Sequence, residues 1–170
     1  RETCDKHGIL LIFDEVITGW GRTGSSFASH EFGVTPDIMT MAKATTNGVV
    51  PMGVVACKDE IYDAVMDASP MGSVELFHGY TYSGIPVAVA AALAVQDIFE
   101  KEDIFERAKN LAPYFQKGLF SLQDLEAVEN IRGYGMMGGI DMKLNSKPGK
   151  AGYETFKACY EAGVNFKATG

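Results

Sequence analysis

The sequence predicts an α/β chain: part of a large domain with a mainly parallel sheet, followed by a smaller α+β domain. Three observations carry this. Short apolar runs at 9–13, 38–42 and 53–57 read as strands, the first so continuously apolar that it suits a strand covered on both faces of a parallel sheet. An alanine-rich stretch from Pro86 to about Glu100 and an amphipathic stretch to about Leu122 read as a helix pair. Beyond them, 128–132 and 136–142 read as strands, 152–162 as a helix and 164–168 as a final strand. This order places the division between domains at 1–95 and 96–170.

Each element has a local reason. RETCDKHG reads as the end of a helix running into the first strand, which Gly8 precedes and Asp14 and Glu15 close. A glycine-rich stretch from Gly19 to Gly24 and a short SSFASHEFG segment follow, then Pro36 and the second apolar run, which ends at Lys43. Asn47 and Gly48 mark a turn before the third run, and 58–66 reads as a short helix. Residues 69–84 form a long excursion of the kind that carries function. Pro86 fits the first turn of a helix, with Ser83 or Gly84 available as cap. Ile104, Ala108, Leu111, Phe115 and Leu119 recur at helical spacing, and Gly133-Tyr134-Gly135 reads as a bend between two strands.

Composition narrows the function classes. The chain has 170 residues, 46% hydrophobic and 22% charged, which suits an ordinary globular core. A net charge of -7 with scattered cations argues against nucleic-acid binding, which needs clustered Lys and Arg. No apolar run reaches the roughly 20 residues of a membrane span, so a soluble protein is expected. Cys4, Cys57 and Cys159 are odd in number and lack metal-ligand spacing, which suits reduced thiols in the cytoplasm. His7, His30 and His78 are too dispersed for a metal site. The first residues have no signal-peptide order, and both ends read as cut elements, so a fragment of a longer chain is expected.

Two consecutive candidate strands end in opposite charges, Asp14 and Lys43. In open parallel sheets ligands bind beyond the carboxyl ends of the strands. Neighbouring strands lie about 4.8 Å apart, so a planar heterocycle could be held by the carboxylate at one edge and the amine at the other. Pyridoxal phosphate is such a ring: a carboxylate on its nitrogen keeps the ring an electron sink, and a lysine supplies the Schiff base. Taken alone, a carboxylate and a lysine at strand ends are more often solvated surface charges.

Long motifs add to the pair. LLIFDEVITGWGRTG, FGVTPDIMTMAK, TNGVVPMGVVA and FHGYTYSGIPVAVAAALA, with the later IRGYGMMGGIDM and GVNFKATG, resemble the class III aminotransferases in order and separation, over nearly the whole chain. The resemblance implies a fold-type I pyridoxal-phosphate enzyme, a homodimer or higher homo-oligomer with shared active sites, and small-molecule amine and keto-acid substrates. It implies that Asp14 pairs with the pyridine nitrogen, that Val16 packs on the ring face and that Lys43 holds the cofactor. Ile17 stands where some relatives have glutamine, and this apolar version resembles the ω-amino acid:pyruvate branch. Thr81 would bind the cofactor phosphate with Tyr80 beside it, both reaching into the neighbouring subunit's site. Lys167 stands where that branch places a substrate-binding arginine, and a lysine offers one compact charge instead of a two-pronged fork. The implied reaction moves an amino group from an ω-amino acid such as β-alanine, or a primary amine, to pyruvate. A same-family aminomutase or decarboxylase, or a non-catalytic truncated fragment, is the alternative, because the phosphate-cradling Gly-Ser loop and a ring-stacking aromatic are expected before Arg1.

Gly19, Gly21 and Gly24 match G-x-G-x-x-G, the dinucleotide-binding pattern. The segment after them is too short and polar for the long crossover helix of that motif, and no acidic residue closes a second strand at the expected distance. Nicotinamide or flavin binding is therefore not expected.

Overall fold

The computed structural model describes residues 1–71, 80–143 and 147–169. Part of the excursion expected over 69–84, including His78, lies outside them. The chain divides into two compact units, Arg1–Asn110 and Leu111–Gly170.

The first unit opens with helix α1 (Glu2–His7), which Gly8 ends in a left-handed conformation at φ 62. Strands β1 (Ile12–Asp14), β2 (Ile38–Met41) and β3 (Val54–Cys57) form one sheet in the order β1-β2-β3. β1 and β2 are parallel, with Ile12 opposite Ile38 and Asp14 opposite Thr40. β3 runs antiparallel to β2, a direction that the period of a strand does not encode. A four-residue helix α2 (Ala28–Glu31) lies between β1 and β2, and α3 (Asp59–Ala68) follows β3.

β1 is shorter than the run expected at 9–13, and Ile12 is 58% exposed. Expected cover on both faces is therefore not supplied by the described residues. The buried apolar side chains of this unit include Ala28, Met41, Ala88, Val95 and Phe99.

Helix α4 (Pro86–Lys101) begins with proline in its first turn, as its fixed φ allows. Its cap is Ile85, with no side-chain cap bond, and not Ser83 or Gly84. Helix α5 (Ile104–Phe120) follows at once. The two units divide within α5. Phe99 of α4 stacks near Trp20 with ring centroids 5.8 Å apart, and Phe105 of α5 lies 5.3 Å from Phe99. These rings tie α4 and the start of α5 to the first unit.

In the second unit β4 (Val128–Tyr134) and β5 (Met137–Met142) form an antiparallel hairpin. Tyr134 pairs with Met137, so the bend is Gly135-Met136 and Gly133-Tyr134 continue the strand. Gly135 has φ 56, which a tight hairpin turn needs at its first position. Gln116 Nε2 donates to the Gly135 and Met137 carbonyls at 2.8 and 2.9 Å, fastening the turn to α5. Helix α6 (Lys150–Glu161) follows. The strand expected at 164–168 does not form: among the described residues this segment pairs with no strand, and without a ladder its backbone has no sheet to join.

Two buried carboxylates fix the sheet. Asp37, just before β2, accepts the Leu11 N–H at 2.7 Å and forms ion pairs with Arg1 and Lys58, each at 2.7 Å. One side chain thereby ties the starts of β1 and β2 to the end of β3. The Leu11 amide first, then Lys58 and Arg1, holds its carboxyl well below the usual carboxylate range. Glu15, 1% exposed, follows β1. Its carboxylate accepts the Thr18 hydroxyl at 2.6 Å and the amides of Ala28 and Ser29 at 3.0 and 2.7 Å. It thus satisfies the free N–H groups at the start of α2, which has no side-chain cap of its own.

A carboxyl whose folded pKa is depressed stabilises above its unfolded value of about 3.9 and loses that contribution as pH falls toward the folded value. Asp37→Asn should lower the melting temperature at pH 7 and flatten its dependence on pH below about 4. A variant matching the parent across that range would deny the clamp. Glu15→Gln puts an NH2 against a backbone N–H in either amide orientation, and should cost about 2–3 kcal/mol of unfolding free energy in a urea titration. A cost below about 0.5 kcal/mol, the size of an ordinary surface change, would show that the buried carboxylate is not needed.

Candidate active site

The parallel pairing of β1 and β2 sets their carboxyl ends at one edge of the sheet, where open α/β sheets take ligands. Asp14 is the last residue of β1, and Lys43 stands just beyond Met41, the last residue of β2. The sequence pair thus stands at, and just beyond, the carboxyl ends of adjacent strands. Asp14 Oδ1 accepts the Val16 N–H at 3.0 Å and the Thr40 hydroxyl at 3.4 Å. Its Oδ2 has no bonded partner among the described residues and is available to a ligand donor.

Lys43 opens a 3-10 turn, Lys43–Thr45, with φ 44. A left-handed conformation costs a non-glycine residue about 1–2 kcal/mol, and such strain collects at functional sites. The side chain is exposed, and its amine has no ion pair or hydrogen bond among the described residues. A flat ring with a protonated nitrogen at one end and an electrophilic carbon at the other suits this pair of groups.

Val16 is half-buried and Ile17 is 55% exposed in the turn after Asp14. They supply apolar surface beside the carboxylate. Tyr80 and Thr81 lie in an exposed turn that the Ser83 N–H closes onto the Tyr80 carbonyl at 3.0 Å. Lys167 belongs to the second unit, where it lines an open groove of about 580 Å³ with Tyr153, Phe156, Asn165, Phe166 and Ala168.

Sequence reasoning missed three contributors. Glu15 was passed over for Asp14, yet the two-residue alternation of a strand puts it on the face of half-buried Phe13 and away from Asp14. Trp20 and Thr45 carried no local signal, and they meet through a hydrogen bond from the indole Nε1 to Thr45 Oγ1 at 3.1 Å.

The glycines at 19, 21 and 24 have structural reasons. A Cβ on Gly19 would lie 2.8 Å from the Glu15 carbonyl, and Gly21 and Gly24 have φ 95 and 96. Gly21 approaches Phe105 so closely that a Cβ would stand 3.0 Å from its ring. The stretch is a turn packed on the start of α5, followed by only the four-residue α2. Among the described residues no cluster of His, Cys, Asp or Glu could hold a metal, the three cysteines are free, and no helix is long and apolar enough to cross a membrane.

Residues 1–170 match the family model of the class III aminotransferases. An omega-aminotransferase of Caulobacter vibrioides is 47% identical over the whole of this chain, which spans 39% of that protein. A beta-alanine–pyruvate aminotransferase of Pseudomonas aeruginosa is 52% identical over 84% of the chain and 32% of its own length. Among solved structures, an (S)-enantioselective omega-transaminase from Thermomicrobium roseum superposes with a TM-score of 0.90 at 38% identity, over 99% of this chain and 38% of that one. A match along the whole length, with the fold shared, decides the matter: this chain, about two-fifths or less as long as those relatives, belongs to the class III aminotransferases.

Proposed function

We propose that this chain is the cofactor-holding part of a transaminase that moves an amino group from an ω-amino acid, such as β-alanine, or a primary amine to pyruvate. The observation that supports it is the placement of Asp14 at the end, and of Lys43 just beyond the end, of two adjacent parallel strands. The similar omega-aminotransferase and beta-alanine–pyruvate aminotransferase support the substrate class.

Class III aminotransferases depend on pyridoxal phosphate, which when bound draws electrons away from the substrate carbon. In our reading the Lys43 amine holds this group covalently. Once its amine is released, Lys43 Nζ would take a proton from the substrate carbon and return it on the other side of the transfer, as base and then acid. Asp14 Oδ2, without a partner among the described residues, would hold the proton on the ring nitrogen. The Val16 N–H and Thr40 hydroxyl on Oδ1 orient the carboxylate. Val16 covers a ring face, and Ile17 adds apolar surface without a hydrogen bond. Thr81, with Tyr80, binds the phosphate in the site of a partner copy in a homodimer. Lys167 meets the substrate carboxylate as a single charge. Residues 1–95 then belong to the large cofactor-binding domain and 96–170 to linker helices and part of the small domain. Three free cysteines suit a cytoplasmic setting.

In the full-length protein, Lys43→Ala should abolish both alanine formation from β-alanine and pyruvate and the visible absorbance of bound cofactor. Retention of both would end the assignment. Asp14→Asn should fold and bind cofactor but lose about 10²–10³-fold in kcat, the scale of a lost charge-stabilising group. A near-normal kcat would remove Asp14 from the chemistry.

A further inference from the structure

We propose that Trp20 and Thr45 are positioning residues that set where the Lys43 amine stands, by clamping the carbonyl of Ala42; this rests on our reading of Lys43 as the cofactor-holding lysine. The Thr45 amide and hydroxyl both lie 3.0 Å from the Ala42 carbonyl. An indole N–H can only donate, so at 3.1 Å it takes the Thr45 hydroxyl as acceptor and leaves the single hydroxyl proton for Ala42. Every group in the relay then has a partner of the right kind. Thr45 is 4% exposed, so water is a poor substitute for the indole.

The indole is itself held. Phe27 meets it edge-on at 4.8 Å and Phe99 of α4 stacks at 5.8 Å with 25° between the planes. Trp20 has φ 63 and donates its backbone N–H to the Ser26 carbonyl at 2.6 Å. Among the described residues, Trp20 and Lys43 are two of four non-glycine residues with positive φ, and they stand at the two ends of this relay. Left-handed backbone persists where its surroundings over-determine it. Ala42 is the residue immediately before Lys43, so fixing its carbonyl fixes the peptide from which Lys43 departs. A displacement of about 1 Å in a reacting group can lower a rate about 10²-fold.

The test uses the full-length protein with and without cofactor. Thr45→Val removes the hydroxyl at nearly constant shape, and Trp20→Phe removes the N–H while leaving a ring between Phe27 and Phe99. Each should retain cofactor yet lose about 10–100-fold in kcat with KM changed less than about threefold. Each should move the pH at which the bound cofactor's absorbance changes. In the cofactor-free protein each should speed amide hydrogen exchange over 42–46. Thr45→Ser should restore all three readouts, and the double variant should be no worse than the poorer single one, because one relay is broken once. Unchanged exchange and absorbance in both single variants, or a Thr45→Ser protein as impaired as Thr45→Val, would overturn the proposal. So would losses confined to melting temperature, with kcat per cofactor-loaded molecule intact. If Thr45→Val does not fold, Trp20→Phe set against Thr45→Ser decides the question. Should Lys43→Ala keep its cofactor, the reading of Lys43 fails separately, while exchange over 42–46 still reports on the relay.

Discussion

The parallel pairing of β1 with β2 is the constraint on which the site depends. With Asp14 opposite Thr40, the two strands deliver a carboxylate and a lysine to the same edge. A slip of one residue would turn every side chain of a strand to the other face, exchanging Asp14 with buried Glu15. Asp37 opposes such a slip at one end, by holding the Leu11 amide between Arg1 and Lys58. Glu15 opposes it at the other, where its backbone N–H extends the ladder to the Thr40 carbonyl and its side chain seats α2. Between these anchors three-residue β1, too short to hold a register by pairing alone, has a defined one.

The site end shows a division of labour between adjacent acids. Glu15 directs its charge to internal donors and is structural, whereas Asp14 has one oxygen without a partner among the described residues. The Lys43 amine likewise has no partner among the described residues, and its backbone stands at φ 44 just after the Ala42 carbonyl that Thr45 holds. The apolar surface left open on β1 belongs to a chain that covers 39% of its omega-aminotransferase relative.

Much of this was legible in the residues. Pro86 announced the start of α4, Gly135 sat where a hairpin turns, and the charges closing two apolar runs lie at or just beyond the carboxyl ends of two paired strands. Other parts were not, for physical reasons. Strand direction leaves no mark on a period of two, so antiparallel β3 could not be read. The role of Glu15 depends on amides 13 and 14 residues further along, and that of Trp20 on a hydroxyl 25 residues away. Hydrogen bonds of that range have no local pattern. The run at 164–168 had a strand's composition, but composition cannot supply a partner for its backbone.

Borohydride reduction of the full-length protein loaded with pyridoxal phosphate, followed by peptide mass mapping, addresses the covalent claim without relying on turnover. The account predicts a single modified peptide with the added cofactor mass on Lys43. Label on another lysine, or none in a protein that still binds the cofactor, would contradict it.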